Sequence, residues 1–492
     1  MNEEKKISAE EAIRKLNELA LEAGKSRLNP QTGYLHHCYH PGETELHVTI
    51  PIYENMLYAY SLLKSKTAEN VNEAKALISG LLCFQSQEGE FSKGNFPIYI
   101  HEFPQCKDRL LGIRLLPVML WIYKQFSHVL GEDLCSKLRN SSISLFNFCK
   151  KTSEEKTVPL PYQLTVECAV NAYAATFELD IKNTETSTAS FTRDCLDTHS
   201  QGQILTALQM QYEKVSESPW KFIWDFLENS YDPNTAAYVG PAAQLYQDRL
   251  QPEVTTMDLH YAAITGVFPD RLNDNSIVML RACMIQPHND SLKLTHSQED
   301  RGVSDGLLWH YLKGDGCSMS AINSSLDREL SDWKGLLPFR MVWGDENHVS
   351  TLVAQGGNYQ TLSADLHENE ASLVYVLSEE VDVENREQCR EVILSFDRNE
   401  TVEIDVNGIR ATTFQVGDEI NVKSKNIKTS ILFSVIEGDG DFFGHIMPGN
   451  RVSQLALKNG NRFNAYDWQL FLRTLRRSKN CKIGVRIKIK VT

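Results

Sequence analysis

The sequence predicts a two-part chain, with an N-terminal (α/α) toroid over residues 1–334 and a C-terminal antiparallel β-sandwich over residues 335–492. Three observations support this division. The 492 residues suffice for two or three domains. Apolar residues recur with a helical period up to about residue 335 and with a period of two beyond it. The composition, 42% hydrophobic and 23% charged, is that of a folded globular protein and excludes disordered and collagen-like classes.

The helical part opens with a clear start signal. Ser8 and Glu11 form a capping box, apolar residues follow at helical spacing, and Gly24 marks the end. A second helix is predicted from about residue 53 to 66, and a third after the cap residue Thr67. Further helices are predicted near residues 108–129, 132–150, 164–178, 199–213, 217–229, 255–265 and 275–284.

These helices are of two kinds. Some carry one apolar stripe and belong on the outside of an assembly, whereas others are apolar on nearly every side and must be covered all round. Their alternation predicts hairpins with an inner and an outer layer, and five or six such hairpins close into a toroid. A four-helix bundle would leave too many helices without a place, and a regular solenoid is less favoured because no fixed sequence period is visible.

The C-terminal part alternates apolar and polar residues or is rich in strand-forming residues. In the last predicted strand, Val485, Ile487 and Ile489 face one way while Arg486 and Lys488 face the other. The other clear strands lie at residues 339–343, 371–377, 391–396 and 431–436. Many short strands separated by polar turns favour an antiparallel sandwich, and the break at residues 332–337 predicts a domain junction.

Charge and targeting signals limit the possible partners and the compartment. The net charge of −14 argues against nucleic acid and against an anionic membrane surface as partners. The N-terminus has no apolar signal-peptide core, and no run approaches the length of a membrane span without a charge. Eleven cysteines without a CxxC pair indicate reduced thiols. We therefore predict a cytoplasmic protein, with export that needs no cleavable signal left open.

The connection at residues 89–109 is the strongest candidate for a functional loop, because it is long, aromatic and placed between two strong helices. It contains Tyr99, His101, Glu102 and Arg109. A histidine beside a carboxylate and a tyrosine supplies a base, an orienting partner and a second proton carrier. The alternative is an ordered loop in which Tyr99 packs inward while His101 and Glu102 make structural hydrogen bonds.

Other candidates lie outside this loop, each with a structural alternative. Tyr53, Glu54 and Asn55 open a helix that can face the central cleft of a toroid; the alternative is that Glu54 only complements the helix dipole. The remaining candidates are His36, His37 and His40, either a metal site or surface imidazoles; Asp258, His260 and Tyr261 on one helix; and Arg340, Asp345, Glu346 and His348 near the domain junction, with an interdomain salt bridge as the alternative. The basic stretch at residues 473–490 is either a patch for an anionic ligand or a charged solvent face.

The layout of a helical toroid followed by a β-sandwich resembles heparinase II/III-like and alginate-lyase-like polysaccharide lyases. The local resemblance lies in FFGHIMPGNR at residues 442–451 and NAYDW at residues 464–468. It implies a carbohydrate-active enzyme whose partner is a polysaccharide or oligosaccharide. The family's catalytic tyrosine, histidine, asparagine and arginine do not align residue by residue with this sequence.

The resulting hypothesis is β-elimination on a uronate-containing glycan, without a metal or cofactor. Arg109 or Asn55 would neutralise the uronate carboxylate, and His101 would remove the C5 proton. Tyr53 or Tyr99 would protonate the leaving oxygen. Residues expected to bind substrate are Glu54, His260, Tyr261, Arg340 and His348. Two alternatives stay open: glycoside hydrolysis, should Glu54 and Glu102 face one another, and a non-catalytic binding or scaffold protein on the same fold. The substrate and the oligomeric state are not predicted.

Overall fold

The computed structural model describes most of the chain. The described residues are 7–39, 49–90, 92–155, 157–181, 185–187, 198–239, 254–273, 276–304, 306–314, 316–324, 338–345, 349–354, 356–381, 389–396, 402–424, 426–448 and 468–491. The predicted junction at residues 332–337 lies outside these ranges, as do Glu346, His348 and the segment at residues 449–467.

The described residues form nine α-helices: α1 (Ala9–Lys25), α2 (Ile52–Ser65), α3 (Ala68–Leu82), α4 (Leu110–Leu130), α5 (Glu132–Ser153), α6 (Leu160–Phe177), α7 (Thr198–Leu208), α8 (Lys221–Ser230) and α9 (Thr256–Thr265). The predicted caps start two of them, because the side chains of Ser8 and Thr67 accept hydrogen bonds from backbone N–H groups three residues on. The segment Ile277–Met284, expected as an α-helix, is a 3₁₀-helix.

The helices form an inner and an outer layer. In α2 every residue from Ile52 to Leu63 is buried, and α4, α6, α7 and α9 are likewise mostly buried, whereas α1, α3, α5 and α8 bury one stripe. Neighbouring helices pack in the order α1, α2, α4, α6, α7 and α9, and α9 returns to α1. This closed ring confirms the predicted toroid.

A two-stranded hairpin, β1 (Tyr231–Asp232) with β2 (Ala237–Tyr238), lies before α9, and the strands after α9 form two antiparallel sheets. The strands after α9 are β3 (Gln298–Ser304), β4 (Leu307–Lys313), β5 (Cys317–Ser324), β6 (Phe339–Gly344), β7 (Val349–Ala354), β8 (Tyr359–His367), β9 (Glu370–Leu377), β10 (Arg390–Phe396), β11 (Glu403–Val406), β12 (Thr413–Phe414), β13 (Glu419–Ser424), β14 (Ile427–Glu437), β15 (Gly440–Pro448), β16 (Trp468–Arg477) and β17 (Lys482–Val491). One sheet has the order β12-β15-β16-β10-β7-β6-β5-β4-β3, and the other has the order β11-β13-β14-β17-β9-β8. Apolar side chains from both sheets form one core, which confirms the predicted sandwich.

The strands begin earlier than the sequence pattern indicated. Strands β3, β4 and β5 precede residue 335 and pair with β6 in the larger sheet, so the expectation of helices up to that point was wrong for them. The reason lies in β4, where Leu307, Trp309 and Tyr311 belong to the core of the helical part. A strand covered by helices on one face and joined to a sandwich loses the simple alternation that marks a strand. The exact division at residues 334 and 335 stays a prediction.

The larger sheet rests directly on the helical part. The ring of Phe226 in α8 makes edge contacts with Trp309 and Tyr311, at centroid distances of 5.4 and 6.0 Å. On β6 the guanidinium of Arg340 donates a hydrogen bond to the backbone carbonyl of Tyr238. Within the described ranges every helix is too short or too polar to cross a lipid bilayer.

Candidate active site

The first turns of the inner helices bring polar side chains together at one end of the ring. Tyr53 and Glu54 lie in the first turn of α2, Tyr162 in that of α6 and His199 in that of α7, while Arg114 lies in the second turn of α4. The N-terminal end of a helix carries a partial positive charge and unpaired N–H groups. Their convergence favours an anionic ligand at this end of the ring.

Two arginines add full positive charges to this end. Arg114 donates from Nε and Nη2 to the hydroxyl oxygen of Tyr162, at 2.8 and 2.5 Å. Arg281 places Nη1 3.4 Å from the hydroxyl of Thr256 and 3.5 Å from Nδ1 of His199. Both arginines are half-buried residues whose guanidinium groups are held by these hydrogen bonds. Such a pair suits a planar anion such as a carboxylate.

Glu54 is the buried carboxyl group of the cluster. It is 3% exposed, one of its oxygens accepts a hydrogen bond from the hydroxyl of Tyr39, and its Oε2 has no partner among the described residues. Burial raises the pKa of Glu54, and the bond from Tyr39 and the charges of Arg281 and Arg114 oppose that rise. Glu54 therefore holds Tyr39 by a hydrogen bond, and its carboxyl group lies within the field of both arginines.

Tyr53 is the hydroxyl best placed to give up a proton. Among the described residues it has no hydrogen-bond partner, and only 8% of it is exposed. Burial raises the pKa of Tyr53 to about 12, while the charges of Arg281 and Arg114 lower it. The hydroxyl is thus protonated at neutral pH, and its phenolate would form beside two cations.

The predicted loop meets the start of α2. The backbone N–H of Ile52 donates to the carbonyl of Ile98 at 2.9 Å, and the hydroxyl of Tyr99 accepts from the backbone N–H of Tyr39 at 2.8 Å. The ring of His101 stacks on Tyr99 at a centroid distance of 5.6 Å, but His101 is exposed. The loop therefore joins the cluster through Tyr99 and Tyr39, and His101 lies at its edge.

Three residues that were predicted as catalytic, Glu102, Asn55 and Arg109, make hydrogen bonds or ion pairs within the fold. The carboxylate of Glu102 accepts from the backbone N–H groups of Ile98 and Tyr99, at 3.1 and 3.3 Å, and closes its own turn. The side-chain amide of Asn55 donates to the carbonyls of Leu35 and Pro51, at 2.9 and 2.7 Å, and accepts from the N–H of Leu35 at 2.8 Å. Arg109 pairs at 2.5 Å with Glu155, which follows the end of α5.

The predicted substrate-binding residues other than Glu54 are dispersed. His260 is fully buried and lies 3.0 Å from the hydroxyl of Thr206 and 2.9 Å from His288. Tyr261 is buried and stacks on Tyr231. Arg340 bonds to the backbone of the β1–β2 hairpin, as described above, and His348 lies outside the described residues, as does His40. Across the ranges described, no group of three or more His, Cys, Asp or Glu side chains is arranged to hold a metal ion.

Sequence reasoning missed Tyr39, Arg114, Tyr162, His199 and Arg281. A signal was present for Arg114, which is one of very few charges in an otherwise apolar helix. A charge that an all-apolar helix retains needs a partner or a ligand. Arg281 carries the same signal, because it is the one charge in the apolar segment Ile277–Met284. Tyr39, Tyr162 and His199 have no comparable local signal, and their arrangement follows only from the closure of the ring.

We expect the free energy of unfolding to fall as the pH drops below the usual histidine range. Burial and nearby Arg27 lower the pKa of His37 to about 4, and burial with neighbouring His288 lowers that of His260. The two histidines take up protons near pH 6.5 in the unfolded chain but not in the native chain. Each of them therefore lowers the free energy of unfolding by up to about 1.4 kcal/mol per pH unit below that value. Urea unfolding at pH values from about 7.5 to about 5 measures the slope. A His37→Gln variant with an unchanged slope would contradict the assignment.

Replacing Glu54 with glutamine should stabilise the fold at neutral pH and impair function. Burial raises the native pKa of Glu54 above its value in the unfolded chain, so ionisation of Glu54 lowers the stability of the native state at neutral pH. The neutral amide removes this cost while still accepting from Tyr39. We expect a gain on the order of 1 kcal/mol at neutral pH, disappearing in acid where the carboxyl is protonated. Thermal unfolding measures it. Glu102→Gln is the matched control and should give no gain, because its carboxylate accepts two backbone hydrogen bonds.

Comparison with known proteins gives two structural matches of low similarity. No family model and no curated protein matches the chain. A heparinase III with methylated lysines aligns with a TM-score of 0.40 and 10% identity, over 97% of this chain and 84% of its own. The heparan sulfate lyase HepC from Pedobacter heparinus aligns with a TM-score of 0.35 and 9% identity, over 100% of this chain and 85% of its own. These matches agree with the predicted resemblance in layout and bear on the layout only.

Proposed function

We propose that this chain is a polysaccharide lyase that cleaves an anionic, uronate-containing glycan by β-elimination. The observation that carries the proposal is the cluster of Arg114, Arg281, Tyr53 and Glu54 at the convergent N-terminal ends of the inner helices. Two held cations beside a protonated phenol supply what the reaction needs from a protein.

The arginines act on the uronate carboxylate. Neutralising that carboxylate makes the proton on the adjacent C5 carbon more acidic, because the enolate-like charge that develops is stabilised by fixed cations. Arg114 and Arg281 take this role in place of Arg109 and Asn55, whose side chains are committed elsewhere.

A base and an acid complete the reaction. His199 accepts a hydrogen bond from Arg281 at Nδ1. Once Arg281 binds the uronate carboxylate, that nitrogen takes the C5 proton as the bond from C4 to the glycosidic oxygen breaks, and a double bond forms between C4 and C5. Tyr53 gives its proton to the departing oxygen, and exchange with water restores both side chains. We assign the base to His199 rather than His101, since His101 reaches the cluster only through Tyr99.

Hydrolysis has less support in this arrangement. The two carboxylates expected for it were Glu54 and Glu102, and Glu102 is bound to backbone N–H groups of its own turn. Non-catalytic glycan binding uses the same arginines and is distinguished by experiment.

The test is turnover of defined glycans by the full-length chain. Heparin, heparan sulfate, hyaluronan, alginate and polygalacturonate are incubated separately, and the ultraviolet absorbance of the unsaturated uronate product is followed. We expect at least one to react, and Tyr53→Phe to lower kcat by about 10²- to 10⁴-fold. Tyr58→Phe is the matched control on the same helix, because the Tyr58 hydroxyl bonds to Glu73 on α3. New reducing ends without absorbance would indicate hydrolysis, and binding without any product would indicate a binding protein.

A further inference from the structure

A second basic cluster lies on the larger sheet, far along it from the strands that contact the helices. Arg390 on β10 pairs in register with Arg473 on β16, and His445 on β15 pairs with Phe471 on β16. We call Arg390, His445 and Arg473 the sheet patch. Phe443 lies beside this patch, because it pairs with Arg473, and it is 44% exposed.

The sheet patch is organised around one aromatic ring. The guanidinium carbon of Arg390 lies 4.6 Å from the centroid of Phe471, and the ring of His445 stacks on it at 5.0 Å. Phe471 is therefore only 6% exposed, although it points away from the sandwich core that holds its neighbours Leu470 and Leu472. Packing on a buried ring fixes the Arg390 guanidinium and the His445 imidazole in position.

Among the residues that the structure describes, the two arginines of the sheet patch have no carboxylate partner. Among the described residues no carboxylate lies within ion-pair distance of Arg390 or Arg473, and Nε of Arg473 is buried without a hydrogen-bond partner. Their neighbours on β16 differ, since Arg476 pairs with Asp441 at 2.6 Å and Arg477 pairs with Glu391 at 2.7 Å. In a chain of net charge −14, two adjacent cations left without a carboxylate point to an external anion.

The sheet patch faces the same side as the helical part. Residues directly opposite each other on paired strands share a face, and the pairs run from Arg340 to Val353, from Val353 to Ser395 and from Ser395 to Gln469. On β16, every second residue points to the same face, so Gln469, Phe471 and Arg473 lie on one side. The sheet patch therefore shares the face on which Arg340 contacts the helical part.

We propose that the sheet patch binds acidic sugar residues of an anionic glycan, as a non-catalytic subsite separate from the cluster in the ring. This inference rests on the proposed function for the kind of ligand. Arginine forks match the planar carboxylate and the sulfate oxygens of such sugars. The exposed ring of Phe443 offers an apolar surface to the face of a sugar ring.

The test measures equilibrium binding, so it does not depend on turnover. The full-length chain is titrated with heparin and with alginate oligosaccharides, and the affinity is compared with that of the double variant Arg390→Gln/Arg473→Gln. Loss of two charge-assisted contacts predicts an affinity at least about ten-fold lower. The matched control is Arg476→Gln/Lys488→Gln, which removes the same charge from the same sandwich at two exposed sites and should bind as the parent does.

The outcomes separate this inference from the proposed function. Binding that falls in the double variant, with the control and thermal stability unchanged, supports the sheet patch whether or not a product forms. Unchanged affinity in the double variant, no binding of either glycan by the parent, or equal binding of single-stranded DNA with the same loss would overturn it. Arg114→Gln should leave the affinity difference between parent and double variant in place, because the two clusters are separate.

Discussion

Arg114→Gln is expected to lower kcat/KM on the reactive glycan by about 10²- to 10³-fold. The guanidinium of Arg114 is fixed by two hydrogen bonds to the Tyr162 hydroxyl, so its charge needs no reorganisation when the enolate-like intermediate develops. Glutamine retains hydrogen bonding but removes the cation. The effect should fall mainly on kcat, because the charge on the substrate grows in the transition state.

Arg109→Gln provides the comparison within the same region of the chain. Arg109 directly precedes the helix that carries Arg114, but it pairs with Glu155, and both partners of that pair are partly exposed, at 28% and 44%. We expect activity near that of the parent and a stability change below about 1 kcal/mol. Equal loss of activity in both variants, or a loss in Arg114→Gln confined to KM, would contradict the role assigned to Arg114.

Arg477→Met is expected to lower the free energy of unfolding by about 3–5 kcal/mol. Arg477 pairs with Glu391 between β16 and β10, and the two side chains are 1% and 0% exposed. Its guanidinium also donates to the carbonyl of Ser378 at 2.5 Å. Removing the cation leaves Glu391 buried without its charge partner, and burial already raises the pKa of that carboxyl.

A double variant separates the lost attraction from the stranded charge. Arg477→Met/Glu391→Leu should recover most of the stability, because neither partner is then left charged inside the sheet. Arg476→Met is the control, since its ion pair with Asp441 is 84% and 50% exposed and should contribute less than about 1 kcal/mol. Urea unfolding measures all three. A single variant no less stable than the Arg476→Met control would show that the pair is not needed.

Local patterns in the sequence were sufficient for the architecture. The capping residues Ser8 and Thr67 and the two kinds of helix stripe are short-range signals, and they led to a ring with two layers. The strands β3 to β5 escaped detection because Trp309 and Tyr311 bury against helices while the strand also joins a sheet. The sequence pattern of a strand does not show that helices distant along the chain cover one of its faces.

The candidate site was predicted only in part, for a different physical reason. Tyr53 and Glu54 were found from their place at a helix start, and Tyr99 from its unusual loop. Arg281 lies more than two hundred residues from Tyr53 along the chain, and only the closure of the ring brings their charges together. Asn55 and Glu102 have suitable chemistry, but backbone groups nearby take up their hydrogen bonds.

The contact of α9 with α1 means that α1 closes the ring of helices. Because α1 contacts both α2 and α9, its departure would open a seam between the earliest and latest inner helices and expose apolar surface on each. Unfolding of α1 therefore also destabilises α2 and α9. The candidate site at the N-terminal ends of the inner helices and α1 should be lost in a single cooperative step.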